Sequence, residues 1–409
     1  MLNDAVFERN QIVEEKFNIQ LEWFDRGSAS ALSKTLKDDV LSGSAECDII
    51  LHSALTAMTD GLSGLLMDMN KLPHIDLDKP WWNSQLRERT SLLDTNYFYV
   101  CDMNVGTWTQ SYVTYFSKQI AENYKVENLY DTVREGKWTL EKLDTLTRGI
   151  YEDLNGNSQY DENDLYGLAD CSCIIDCLLV SSGLSLTAKT EDEGMEVAIS
   201  EQFYQVYDQI ANLLQAPEML YTDRPEYTAK RDVYDRGAFI DNRALFFIEG
   251  LYVGGTKLRD MQTEYGILPL PKFDETQENY YTYSHSSHNS TVSLPVTSAQ
   301  KSDMLCMILE DMAYYSMDLI RPAYYEKTLT GKIALDDDSV EMLEIITQST
   351  VYEPAFLLLS NNLTNGGSGL RAAISNAKPA ASFIESVLEA NNKILADAIE
   401  AVRVNQSAE

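Results

Sequence analysis

The sequence predicts an α/β protein folded as two lobes, and three observations lead there. The chain has 409 residues, more than the roughly 250–300 at which a single hydrophobic core stops growing. Hydrophobic residues make up 44% and charged residues 23%, the balance of a chain with a packed core. Helical and strand periodicities alternate early in the chain, as they do when a mainly parallel sheet is covered by helices and ligands bind beyond the strand ends.

The first element is a helix: Leu2, Val6, Val13 and Phe17 fall near one face, with Asn3 or Asp4 as its cap. Because an α/β lobe ordinarily opens with a strand, a leader and a first strand are expected ahead of it. Ile19, Leu21 and Trp23 alternate as a strand, Ala31 to Leu41 reads as a helix, and Asp48-Ile49-Ile50-Leu51 reads as a buried strand. From about 111 to 150 the pattern is helical, interrupted at Gly136, and Thr139 caps a new helix. A second lobe is expected to begin here. A helix follows over Glu201 to Leu214, with strands at Ala244 to Ile248 and Tyr265 to Leu268, the last closed by Pro269 and Pro271. Near the end, Phe383, Val387, Ala390, Ile394, Ala398 and Val402 form one stripe of a helix spanning Ser382 to Val402. Its outer face carries Glu385, Glu389 and Asp397, not the basic residues of a membrane-surface helix, so it is expected to dock on its parent lobe. No repeat or low-complexity linker occurs, and crossing strands are expected to join the lobes.

The 64 acidic side chains against 32 basic ones give a formal charge of -32, a field that repels phosphate backbones, so no nucleic-acid partner is expected. No run of about 18 apolar residues is present, and Met1-Leu2-Asn3-Asp4 lacks the basic and apolar regions of a signal peptide. Cys47, Cys101, Cys171, Cys173, Cys177 and Cys306 show no paired spacing for metal or redox chemistry. Buried free thiols are the plainer reading of the 171–177 group.

The segment from Asp153 to Asp164 places Asp153, Asn155, Asn157, Asp161 and Asp164 at positions 1, 3, 5, 9 and 12 of a loop, with the Gln159 carbonyl at position 7. Those are the donor positions of a calcium loop, since Ca2+ takes six to eight hard oxygens at short range. Two departures stand out: Ser158 replaces the usual glycine, and Asp164 is shorter than the usual bidentate glutamate. A polar turn built on Asn and Gly is the alternative. No cofactor is required by the sequence; a structural calcium ion is the one candidate.

His52, His74, His285 and His288 form no H-E-x-x-H arrangement, and neither a G-x-S-x-G elbow nor a G-x-x-x-x-G-K-[ST] loop occurs. A non-enzymatic protein is expected. What stands out is the aromatic content, 24 Tyr and 5 Trp, rings that stack on the apolar faces of sugars while acids and amides bind hydroxyls. Rings mix with polar groups at Trp81-Trp82-Asn83, Asp102 to Trp108, Glu249-Gly250-Leu251-Tyr252 and Tyr281-Thr282-Tyr283-Ser284-His285. Trp81, beside Pro80, reads as a structural anchor. Two other readings stand beside a binding module: a carbohydrate-cleaving enzyme using paired carboxylates in an aromatic cleft, and a calcium-stabilised surface protein.

In order along the chain, Asp38 to Gly43, Cys47-Asp48-Ile49-Ile50, Lys79-Pro80-Trp81-Trp82-Asn83, Asn128 to Val133, Gly136-Lys137-Trp138-Thr139, Asp161 to Gly167, Ala244-Leu245-Phe246-Phe247, Tyr265 to Lys272 and Leu294-Pro295-Val296 resemble family 1 extracellular solute-binding proteins, which supply sugars to bacterial ABC importers. The resemblance implies a type II periplasmic-binding-protein-like fold whose lobes close over ligand, with 1–105 and 265–312 in lobe 1 and 106–264 and 313–409 in lobe 2. It implies a sugar or oligosaccharide ligand, for which Asp102, Trp108, Glu249, Tyr252 and Tyr283 are the candidate contacts. Permease subunits as partners, a monomer, and a lipid-anchored extracellular location for the full-length protein follow from the same resemblance. The family also takes non-sugar solutes.

Overall fold

The computed structural model describes residues 2–161, 163–170, 173–220, 237–324, 337–364 and 369–408, so Cys171 lies outside the described residues. The architecture is mixed α/β in two lobes, with separate sheets. In chain order the strands are β1 Ile50–His52, β2 Tyr112–Ser117, β3 Tyr151–Glu152, β4 Leu165–Asp170, β5 Thr187–Lys189, β6 Met195–Val197, β7 Met219–Leu220, β8 Ala244–Gly250, β9 Tyr265–Leu268, β10 Thr282–Tyr283, β11 Thr291–Ser293 and β12 Thr350–Val351.

The larger sheet runs β3-β4-β8-β2-β9, with β7 also paired to β4. Strand β4 is parallel to β7 and β8, while β2 is antiparallel to β8 and β9. Every residue of β2 and β8 is buried, as expected of strands covered on both faces. Trp138 anchors the neighbouring helix, fully buried and donating its indole N–H to the Pro269 carbonyl at 2.9 Å. The first lobe pairs β1 with β11 antiparallel, alongside helices Leu2–Phe17, Ala29–Ser42, Ala54–Leu62 and Ser302–Tyr315. Capping follows side-chain chemistry: the Ser28, Thr139 and Ser200 hydroxyls accept from Ala31, Lys142 and Phe203 N–H, and Gly43 ends its helix at φ 71°.

Chain passes between the lobes side by side where Ser111 bridges Ser284 and His285 N–H donates to the Gln110 carbonyl at 3.2 Å. Helix Ser302–Tyr315 continues into the π-helical turn Ser316–Ile320.

Helix Glu201–Leu214 and strand Tyr265–Leu268 fall where periodicity puts them, and five expectations change. Asn3 and Asp4 lie inside the first helix, which begins at Leu2, and do not cap it. Ile19 to Trp23 forms no strand, because no ladder partner pairs with it, and Trp23 and Phe24 are exposed. The stretch from 111 is not helical throughout: Tyr112–Ser117, rich in aromatic and β-branched residues, is a central strand. Strand β9 pairs with β2 in the larger sheet, so it belongs with the 106–264 lobe and not with the first. The last helix runs Ala380–Ala408, with Ala390 exposed and Asn391 and Leu395 buried in its place. Asn392 accepts from Val197 N–H at 2.9 Å, while Asn405 and Gln406 donate to the Gly61 carbonyl and Thr95 hydroxyl at 3.0 and 2.9 Å.

Candidate functional site

Three segments meet beside the lobe crossings: Ser111–Tyr112, Gly250–Leu251 and Ser284–His285. Tyr112 is in register with Gly250, Leu251 N–H donates to the Ser111 carbonyl at 2.9 Å, and Ser111 bridges Ser284. The five predicted ligand residues lie on the segments that run into this seam.

Asp102 is buried and ion-paired to Arg321; burial pushes its carboxyl up to about 6, against the pull of Arg321 and Trp108. Trp108 is only 4% exposed, its ring tilted on Tyr324 at 5.4 Å between centroids, with Ile320 beside it and Leu2, Ala5 and Val6 packed around. The ring is enclosed by protein and is not an open platform. Glu249 is buried, and its Oε1 accepts from Gly250 N–H at 2.9 Å. Tyr252 is half-buried and lies so close over Gly250 that a Cβ there would meet the ring at 2.8 Å, which requires glycine. Tyr283 is buried between Tyr112 and Phe356, at 5.4 and 5.3 Å between centroids, with His285 at 6.0 Å. The structure thus groups Asp102 with Trp108 and Tyr283 with Tyr112, and Glu249 and Tyr252 reach the seam through its backbone. Trp81 and Trp82 are anchors, both donating indole N–H to Glu310, at 3.1 and 2.8 Å.

Sequence reasoning missed Asp176, buried in the first turn of helix Ile174–Ser181. Burial pushes its carboxyl up to about 7 and Cys173 adds to the rise, while Arg371, His285 and Tyr283 oppose it. For His285, burial lowers the proton affinity, but the neighbouring Cys173 and Asp176 outweigh it and the net direction is up. The buried polar side chains here answer one another: Asp176 with Tyr283, and Tyr352 with Ser284 and Asn289. The available signal was the isolated carboxylate in Ile174-Ile175-Asp176-Cys177-Leu178-Leu179-Val180.

A Ser–His–Asp line also occurs, with His52 Nε2 at 3.0 Å from Ser293 Oγ and Nδ1 at 3.8 Å from Asp60 Oδ2. All three are buried in the first lobe, and burial lowers His52 to about 4, far below the value a general base needs at neutral pH. It is a structural contact.

In the 153–164 loop, Asp153 accepts from Gly156, Asn157 and Ser158 N–H at 2.8, 3.2 and 2.7 Å. Asn155 accepts from Asn157 N–H and Asn157 from Gln159 N–H, at 3.0 and 2.7 Å. The side-chain amides of Asn155 and Asn157 converge on Asp161, at 3.0 and 2.6 Å. Ser158 makes the left-handed turn that glycine would make, at φ 60°. Asp164 is fully buried: its Oδ2 accepts from Asp161 N–H and Tyr151 O–H, both at 3.1 Å, and its Oδ1 has no hydrogen-bond partner. Among the described residues no three His, Cys, Asp or Glu side chains gather as a metal cage, so any ion here would draw on amide and backbone oxygens as well.

No family model and no curated protein matches the sequence. Solved structures do resemble the fold. M. tuberculosis UspC superposes with a TM-score of 0.63 at 12% identity over 96% of each chain. A cyclo/maltodextrin-binding protein complexed with maltotetraose gives 0.60 at 12% identity over 98% of this chain and 93% of that one. An ABC transporter solute-binding protein from Thermotoga lettingae TMO, bound with α-D-tagatose, gives 0.58 at 14% identity over 96% of each. The chain has the two-lobed fold of periplasmic solute-binding proteins.

Proposed function

We propose that the protein captures a sugar or sugar-like solute between its lobes and delivers it, outside the cytoplasmic membrane, to the permease of an ABC importer. The observation that carries this reading is the two-lobed fold, with aromatic and polar side chains, Tyr112, Tyr283, His285 and Asp176, gathered at the lobe crossings. Polar groups of this kind bind solute hydroxyls, and aromatic faces cover a sugar's apolar side. Short crossings between lobes are also what hinge closure requires. Two of the similar structures, described with maltotetraose and α-D-tagatose, support a carbohydrate. A monomer, lipid-anchored in its full-length form, belongs to the same reading. The test is mass spectrometry of small molecules released from the purified protein, followed by calorimetry with mono- and oligosaccharides. One solute bound per chain and recovered intact is expected; no binding, or recovery of cleaved sugar, would sink the reading.

The loop at Asp153, Asn155, Asn157, Gln159, Asp161 and Asp164 is proposed to hold a structural Ca2+. Its all-oxygen donor set and the buried Asp164 Oδ1 fit a hard cation. The ion would pin the β3–β4 connection, at the edge of the larger sheet.

A further inference from the structure

We infer that the contact between His285 and His288 is an acid-sensitive latch on the lobe crossing, closed while the two rings share one proton and opened by a second. The two Nδ1 atoms stand 3.1 Å apart, with the rings nearly perpendicular at 82°. A hydrogen bond at that distance holds one proton between the nitrogens. It forms when both rings are neutral or when one is an imidazolium. A doubly charged pair carries N–H on every ring nitrogen and has no acceptor left. Ser287 N–H also points at His285 Nδ1, at 3.2 Å, a further donor that the fully charged pair cannot accommodate.

The turn that carries the pair ties the crossing to the first lobe. His285 N–H donates to the Gln110 carbonyl on the neighbouring crossing, and the His285 carbonyl accepts from His288 and Asn289 N–H at 3.0 and 2.9 Å. The Ser286 carbonyl and Asn289 Oδ1 accept from Leu55 and Ala54 N–H at 3.0 and 2.9 Å, two of the donors that open helix Ala54–Leu62. Charges reach the pair from several elements. Cys173 and Asp176, at the start of helix Ile174–Ser181, favour a charged His285, Arg371 opposes it, and Tyr112 and Tyr283 lie against its ring. Burial, and then the charge of His285, push the proton affinity of His288 down, with Cys173 opposing. The second proton therefore arrives below about 6.5. Asp176, titrating near 7, has by then lost most of the charge that would hold two cations together.

The experiment is hydrogen exchange by mass spectrometry on the full chain at pH 7.5, 6 and 5, corrected for the intrinsic pH dependence of exchange, in wild type and His288→Asn. Asparagine keeps an amide donor for His285 but takes no charge. In wild type, peptides covering 53–58 and 284–290 are expected to lose about tenfold in protection between pH 7.5 and 5, while strand Ala244–Gly250 keeps its own. In His288→Asn that step should vanish. No solute enters the measurement, so its outcome is independent of the solute-capture reading. Constant protection in wild type, an equal step in His288→Asn, or a loss shared by Ala244–Gly250 would each overturn the latch. Histidine ring NMR gives a second check: the His288 midpoint should rise in His285→Asn, where the opposing charge is gone, and an unmoved midpoint would also overturn it.

Discussion

Trp108 sits in an aromatic loop, the setting of a stacking platform, yet its neighbours are Tyr324, Ile320 and the first helix. Removing a buried indole costs about 3–5 kcal/mol, since the surroundings close only partly over the cavity. Trp108→Ala should therefore lower the guanidinium unfolding midpoint strongly and leave solute affinity within about threefold, measured well below the melting point. The opposite pattern, intact stability with lost affinity, would return the ring to the ligand site. Single residues were legible in the sequence to the extent that their type constrained them. Thr139 as a cap and Trp81 as an anchor follow from short-range chemistry. Asp176 did not, because what sets it apart is burial beside Tyr283 and His285, which are more than a hundred positions away along the chain.

At the scale of elements, amphipathic helices and bounded strands read well: Glu201–Leu214 carries a clear apolar face, and Pro269 stops Tyr265–Leu268. Tyr112–Ser117 was hidden because a strand buried on both faces shows no alternation. Ile19 to Trp23 alternates but finds no partner, and a strand exists only as part of a ladder. The 153–164 loop yields a prediction at this scale. An ion that binds only the folded state at a hundred times its Kd adds about 2.7 kcal/mol, worth about 3 °C for a chain of 409 residues that unfolds as one unit. Calcium should raise the melting temperature by that order, and EDTA should reverse it without abolishing solute binding. Asp153 also holds three backbone N–H groups, so Asp153→Ala should melt below EDTA-treated wild type and ignore added calcium. Scanning calorimetry with and without chelator checks this; melting indifferent to both treatments would leave the loop a polar turn.

For the whole molecule, three buried groups set opposing pH trends. His52 is lowered to about 4, so between pH 6.5 and 4 the unfolded chain takes a proton that the folded chain refuses. Its contribution, at most about 3 kcal/mol, is full above 6.5 and lost as pH falls toward 4. Asp102 and Asp176, raised to about 6 and 7, do the reverse: their contribution is full below about 4 and lost as pH rises through 6 and 7. Urea midpoints from pH 4 to 8 should therefore lose their acid-side fall in His52→Asn and part of their fall toward pH 8 in Asp176→Asn. An unchanged profile in both would remove these groups from the balance.

The long last helix, about 43 Å at 1.5 Å per residue, is hydrogen-bonded to Val197 at one point and to Gly61 and Thr95 at another. The pairing of β1 with β11 has a different consequence. His52 meets Ser293 across 241 positions of chain, so on the ribosome the first lobe's sheet has nothing to close against until the second lobe has largely emerged. At about 5–20 residues per second, the N-terminal third waits roughly 12–50 seconds with its strand edge open. The lobe that starts first thus cannot close its sheet until most of the chain has been made, and during synthesis it is this opening stretch that most needs shelter from aggregation.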